Sequence, residues 1–219
     1  MGDPLLAIDT ATNRIGLSLS TESEILAESV WQSDRFHTVE LAPRTAMMMM
    51  ETGTNPGELS GVVVSSGPGS YTGLRIGMAF GKGLAMAQQI PLFGVSTLDG
   101  LARMQPERQE PMLATLGAGR GRIAAVWYKL GRSGWQAQGE PYSTEWDQIL
   151  SELVEPIYVS GEMNPQTRRM LSRSDLVTLA SPAMCMRRPS FLAELARERV
   201  GSADVESAAT LAPTYLGEV

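Results

Sequence analysis

The first thirty residues alternate apolar and polar side chains with a period of two. Leu5-Leu6-Ala7-Ile8 opens a strand ending at Asp9 and Thr10, and Ile15, Leu17 and Leu19 alternate with Gly16 and Ser18 in a second. Ile25 to Val30 form a third, after the polar turn at Glu22-Ser23. Such runs separated by Thr12-Asn13 and Glu22-Ser23 predict an antiparallel meander. The period then changes. Val39, Ala42, Ala46 and Met49 or Met50 recur at helical spacing. They predict a helix over residues 34–52 that starts at Ser33 or Asp34 and is kinked or delayed by Pro43. Met47, Met48, Met49 and Met50 cannot share one helical face, so part of that run turns away from the core, toward a partner or a second buried surface.

The stretch from Gly61 to Ala85 organises the rest. Val62 to Val64 read as a buried strand, Pro68 and two glycines as a hinge, and Ser70 or Thr72 as the cap of a following helix. Within that helix Gly73, Gly77 and Gly81 recur every four residues and share one face. Each mid-helix glycine costs about 0.5–1 kcal/mol relative to alanine, which close approach of another backbone, from this chain or a partner, would offset. The free N–H groups at the helix start also make an anion nest. Asp9, Thr10, Gly67, Gly69, Ser70 and Thr72 are its candidate anion or nucleotide contacts. Asp9 reads equally as holding its own turn through local N–H groups. Arg75, near the positive end of the helix, calls for an anion, a partner's acid or an intrachain carboxylate.

Further strands are predicted at Ile90 to Ser96, Leu113 to Leu116, Ile123 to Leu130, near Trp135, Ile157 to Ser160 and Leu176 to Leu179. Helices are predicted at Thr97 to Met104, Glu145 to Leu153, Pro165 to Leu171 and Pro189 to Val200. The charged, proline-flanked segment Gln105 to Pro111 reads as a linker. The pattern is an α/β fold in two lobes, residues 1–104 and 105–219, with no internal repeat evident in the sequence.

Composition narrows the chemistry. A net charge of -6 and 43% hydrophobic residues describe a globular chain without the overall basic character of a protein that grips RNA unaided. His37 is the only histidine and Cys185 the only cysteine. A two-histidine zinc site, a thiolate zinc site and an intramolecular disulfide are thereby excluded. Gly81-Lys82 is followed by Gly83, so there is no Walker A motif, and Gly67, Gly69 and Gly73 lack the dinucleotide-binding spacing. Ser70 follows its glycines instead of sitting in a nucleophile elbow. With no leader-like or membrane-spanning run, the expected location is cytoplasmic.

The strings Leu5 to Thr12, Gly67-Pro68-Gly69-Ser70-Tyr71-Thr72-Gly73-Leu74-Arg75 and Pro91 to Leu98 resemble the bacterial TsaB (YeaZ) family of the glycoprotease-like M22 superfamily. The likeness is specific over roughly the first 100 residues. It implies a two-lobed ASKHA (actin/Hsp70/sugar-kinase-like, RNase H-like) fold. It also implies a non-catalytic scaffold or activator that binds TsaD in making threonylcarbamoyladenosine (t6A) in tRNAs reading codons that start with A. TsaE completes the system, tRNA is met only through the complex, and the chain alone can form a homodimer. No cofactor of its own is implied, ATP or ADP being confined to the partner interface. The family's contact helices map onto His37, Leu41, Met47, Met48, Gly73, Arg75, Gly77, Phe80, Gly81 and Leu84. Where the family has an acidic D-A-x-R-G-E-like turn, this chain reads Gly117-Ala118-Gly119-Arg120-Gly121-Arg122. The alternative reading is a stand-alone ASKHA-type phosphotransferase holding nucleotide at Asp9 and the loop from Gly67 to Thr72.

Overall fold

In the computed structural model, which describes residues 3–33, 37–199 and 210–216, the predicted meander is present. It comprises β1 (Leu5–Asp9), β2 (Arg14–Ser20) and β3 (Ile25–Gln32). Then follow α1 (His37–Thr52), β4 (Gly61–Gly67), α2 (Tyr71–Gln88), β5 (Leu92–Ser96) and α3 (Thr97–Arg103). The strands form one sheet in the order β3-β2-β1-β4-β5, with β1, β4 and β5 parallel.

Register explains the layers. Leu6 lies beside Leu19 and Val62, and Val62 beside Leu92, so one face of the sheet carries a continuous apolar row. That face packs under Leu41, Met48 and Met49 of α1 and Met78 and Ala85 of α2. The alternate residues Leu5, Ala7, Val63, Phe93 and Val95 face the other way. They are covered by Leu192, Ala193 and Ala196 of a C-terminal helix, Pro189–Arg199. The first unit therefore comprises Met1–Gly100 together with Arg188–Thr214. The sequence placed this helix in the second lobe; its small residues instead complete the first sheet. Arg197 anchors it by donating to the Ser20 carbonyl (2.6 Å) and hydroxyl (3.0 Å). Burial pushes the Arg197 guanidinium below its usual range, opposed by Glu22 and Glu194.

The second unit is Leu101–Arg187 with Tyr215–Val219. It contains β6 (Met112–Gly119), β7 (Arg122–Gly131), β8 (Gly134–Ala137), β9 (Tyr142–Thr144), α4 (Trp146–Glu152), β10 (Ile157–Gly161), α5 (Pro165–Leu171) and β11 (Val177–Leu179). The helix Pro189–Arg199 is then α6. The strand order is β11-β10-β6-β7-β8, with β9 pairing β7. Leu113, Ile123, Ala125, Ile157 and Val159 bury one face against Trp146, Ile149 and Leu171. The three-residue β9 was not predicted.

Helix α1 runs unbroken through Pro43. The predicted start at Ser33 or Asp34 falls on residues of which 34–36 lie outside the described set. Met48 and Met49 are buried, whereas Met47 and Met50 are exposed, so the methionine run does face both ways.

Candidate partner-docking face

Ser70 is the N-cap of α2, its hydroxyl accepting from the Gly73 N–H at 3.3 Å. From that start the glycine face turns inward. A Cβ on Gly73 would collide with the Thr10 carbonyl oxygen, and one on Gly77 with the Thr10 hydroxyl. At Gly81 it would lie 2.6 Å from Val64 Cγ1. Gly73, Gly77 and Gly81 are all buried. The expectation that they belong to a partner interface is corrected: the Thr10 carbonyl, the Thr10 hydroxyl and the Val64 and Leu92 side chains of this chain take up the space they leave, and the stripe lowers α2 onto the sheet. Leu41 and Met48 are likewise core residues, 1% and 5% exposed.

The remaining expected contact residues divide differently. Met47 and Arg75 are exposed, Phe80 and Leu84 are half-buried, and the His37 side chain lies outside the described set. What the sequence reading missed is the outward side of the same helices. Val39 and Met50 on α1 are 64% and 75% exposed, and Met86 on α2 is 70% exposed. Between the helices lies a groove of about 500 Å³, lined by Thr38, Leu41 and Ala42 of α1 and by Tyr71, Thr72, Arg75, Ile76, Ala79 and Phe80 of α2. The Arg75 guanidinium stacks on the Tyr71 ring, 3.8 Å from its centroid. A signal did exist: Thr72, Ala79 and Met86 recur every seven residues opposite the glycine stripe.

Of the candidate anion contacts, Asp9, Thr10, Gly67, Gly69 and Ser70 come together at the carboxyl ends of β1 and β4, while Thr72 faces outward into the groove. Their polar groups serve the chain itself. The Ala11 N–H donates to Asp9 Oδ1 (2.9 Å), the Thr10 N–H to Ser65 Oγ (3.3 Å) and the Ser70 N–H to the Ala11 carbonyl (2.6 Å). Gly67, with φ +117, is needed because the Thr214 carbonyl fills its Cβ position. Gly69 is needed because the Ala11 carbonyl oxygen lies 2.5 Å from the equivalent point. The C-terminal segment is held there by Thr214 N–H donating to the Ser66 carbonyl at 2.7 Å, with Leu211 buried against Gly94. The Thr214 and Ala11 carbonyl oxygens therefore pack against Gly67 and Gly69, and one oxygen of the Asp9 carboxylate is engaged by the Ala11 N–H.

Elsewhere the buried polar groups form structural networks. In the second unit the Tyr158 hydroxyl donates to Gln105 Oε1 (3.0 Å). The Gln105 amide donates to the carbonyls of Leu101 (3.0 Å) and Met184 (2.8 Å). Burial pushes the Tyr158 hydroxyl above its usual range, Cys185 adds to the rise, and Arg108 over the ring opposes it. Arg187, almost fully buried, pairs with Glu162 at 2.5 Å. Among the described residues no three His, Cys, Asp or Glu side chains gather to hold a metal ion. Nor is any described helix long and apolar enough to cross a membrane.

The family model for TsaD, tRNA N6-adenosine threonylcarbamoyltransferase, matches residues 24–155. The Bacillus subtilis tRNA threonylcarbamoyladenosine biosynthesis protein TsaB is 30% identical over 97% of this chain and 93% of its own length. The Escherichia coli protein of the same name is 34% identical over 45% of this chain and 42% of its own. YeaZ from Pseudomonas aeruginosa superposes with a TM-score of 0.79 at 22% identity, covering 99% of this chain and 100% of that one. The fold is thus that of YeaZ, an α/β fold with two sheets. With a full-length relative at this identity and the glycine loop and helix arranged as described, the chain belongs to the TsaB (YeaZ) family of tRNA threonylcarbamoyladenosine biosynthesis proteins.

Proposed function

We propose that this chain is a non-catalytic accessory subunit in t6A formation, holding TsaD through the outer face of α1 and α2. The observation that carries the reading is the apolar surface formed by Val39, Met47 and Met50 of α1 with Tyr71 and Met86 of α2, around an open groove. Exposed large side chains gathered on two adjacent helices are the signature of a surface that a partner covers. The relatives named TsaB support a role in this pathway, and TsaE is the further component proposed for the complex. The transfer chemistry is assigned to TsaD, tRNA is met only in the assembly, and nucleotide, where present, belongs at the partner interface. The proposed compartment is the cytoplasm.

A stand-alone phosphotransferase finds no support in the carbonyl-lined loop at Gly67 and Gly69. The test is reconstitution of t6A formation from TsaD and TsaE of the same organism, supplied with tRNA, ATP and a threonylcarbamoyl donor, with and without this chain. Wild-type protein is expected to raise the rate, and the double variant Met50→Glu, Met86→Glu to fold normally but neither bind TsaD nor stimulate it. Equal t6A formation in its absence, or unimpaired binding by the double variant, would overturn the proposal.

A further inference from the structure

Resting on the t6A role proposed above, we infer that the β6–β7–β8 ribbon of the second unit, tipped by Arg120 and Arg132, grips the phosphate backbone of the tRNA held by the complex. Residues 111–139 hold Arg120, Arg122, Lys129 and Arg132 and no acid. The rest of the chain has all 24 acids against 14 of the 18 cations. All four ribbon cations are exposed. Arg122 is fixed in place, its guanidinium donating to the Ser143 hydroxyl (2.8 Å) and carbonyl (3.2 Å). Among the described residues, Arg120, Lys129 and Arg132 have no hydrogen bond or ion pair within the chain.

Folding does not call for an arginine at the first tip. Gly119 pairs with Arg122 across the turn Arg120-Gly121, whose φ values are +51 and +81. Such a turn favours Asn-Gly, and a long side chain enters the left-handed region at a cost. Nothing lies within 4 Å of a Cβ placed on Gly117, Gly119 or Gly121, so the tip stands clear of the rest of the chain and no packing offsets that cost. The next hairpin repeats the placement, Gly131 pairing with Gly134 across Arg132-Ser133. The ten residues of β7 separate the two turns. At a rise of roughly 3.4 Å per residue that is about 30 Å, with Lys129 on the strand between.

This separation decides the ligand class. A small anion meets one tip, whereas an extended polyanion meets both. Acidic proteins and membranes do not suit the ribbon, because each adds apolar burial, and none of the exposed large apolar side chains lies between Met112 and Ala137. An RNA backbone asks for charge alone, and guanidinium forks match phosphate oxygens two at a time. The excess of acid elsewhere in the chain repels free RNA, which confines the contact to tRNA already held in the assembly.

The experiment measures binding of an unmodified tRNA transcript to TsaD over a range of salt, alone and with this chain. The chain is supplied as wild type, as a ribbon variant (Arg120→Asn, Lys129→Gln, Arg132→Gln), and as a control (Arg169→Gln, Arg173→Gln) that removes two exposed cations elsewhere in the same unit. Wild type is expected to tighten tRNA binding about tenfold at roughly 0.1 M salt. The ribbon variant should lose that gain and flatten the slope of log affinity against log salt by about 2, at roughly 0.7–0.9 per lost phosphate contact. The control should match wild type, and TsaD binding should be unchanged in both. Arg120→Asn alone should raise the thermal transition, since asparagine suits the turn, while weakening tRNA binding, so the loss does not reflect unfolding. Equal affinity and slope for wild type and ribbon variant overturn the inference, as does an equal loss with the control or a loss of TsaD binding by the ribbon variant. Pelleting of wild type but not the ribbon variant with phosphatidylglycerol vesicles, with tRNA binding unaltered, assigns the cations to a membrane and also overturns it. Parallel t6A assays separate the two readings. Stimulation by wild type without any change in tRNA affinity overturns the inference alone; the absence of both overturns the proposed function with it.

Discussion

The two units share a strand order yet differ in what they do with it. In each, an antiparallel meander is followed by two parallel strands: β3-β2-β1-β4-β5 in the first and β8-β7-β6-β10-β11 in the second. In each, the first parallel strand ends in a glycine of positive φ against a carbonyl oxygen, Gly67 beneath Thr214 and Gly161 beneath Thr115. The helix that follows diverges. α2 has 18 residues and a glycine stripe seated on the sheet, whereas α5 has seven and turns its Arg168 side chain to the Ala180 carbonyl. The hairpin ends diverge as well: that of β1 and β2 is sealed by Thr10 and Ala11 under α2, while Gly117 to Arg122 at the end of β6 and β7 are all exposed. A shared topology therefore does not distribute function evenly. The candidate face sits where the first unit grew a long helix and lowered it by removing side chains.

The comparison can be broken most directly at Gly77. Leucine there must displace Thr10, and we expect a loss of about 3 kcal/mol or more in denaturant unfolding, with collapse of the first unit's transition. A stable Gly77→Leu protein would show that the stripe is not what seats α2. Next comes Leu211→Ala, which empties a core position at 5% exposure and should cost about 2 kcal/mol or more by the same measurement. A value near zero would separate the C-terminal segment from the stability of the first sheet. Gly83 sharpens the contrast, since it lies on α2 with nothing within 4 Å of an added Cβ. Gly83→Ala should stabilise by about 0.5–1 kcal/mol, the opposite sign from Gly77 on the same helix.

The smallest effect belongs to the second unit and to pH. Burial raises the Tyr158 pKa in the folded state, so the unfolded chain ionises first, near pH 10. Between that value and the folded pKa the native state holds the extra proton, and stability falls as pH rises. Tyr158→Phe should flatten this slope without abolishing it, because burial also raises Tyr142. An unchanged slope in urea titrations between pH 9 and about pH 11 would remove Tyr158 from the account.

Much of this was legible in residue order. Alternation gave the meander, Pro165 at the first position gave α5, and the glycine spacing showed which residues of α2 share a face. Spacing alone does not say which way a face points. Gly73, Gly77 and Gly81 suit a partner's backbone and the chain's own Thr10 and Val64 equally, and only the burial of Leu74, Met78 and Ala85 beside them decides. The outward residues were overlooked because single exposed methionines are ordinary; Met50 and Met86 gain meaning only once α1 and α2 are known to be neighbours. The assignment of α6 failed for a related reason: Leu192, Ala193 and Ala196 form an apolar stripe that names no sheet. The shared strand order of the two units escaped notice because many apolar side chains satisfy the same layer.

The bond from Thr214 to Ser66 closes the first sheet with almost the last described residues of the chain, and α6, which covers its second face, lies nearly as late. On the ribosome, residues 3–100 emerge long before the segments that complete their core. The unit synthesised first is completed late, after residues 101–187 of the second unit have left the exit tunnel, and until then Leu5, Ala7, Val63 and Val95 form an uncovered apolar surface for chaperones to bind.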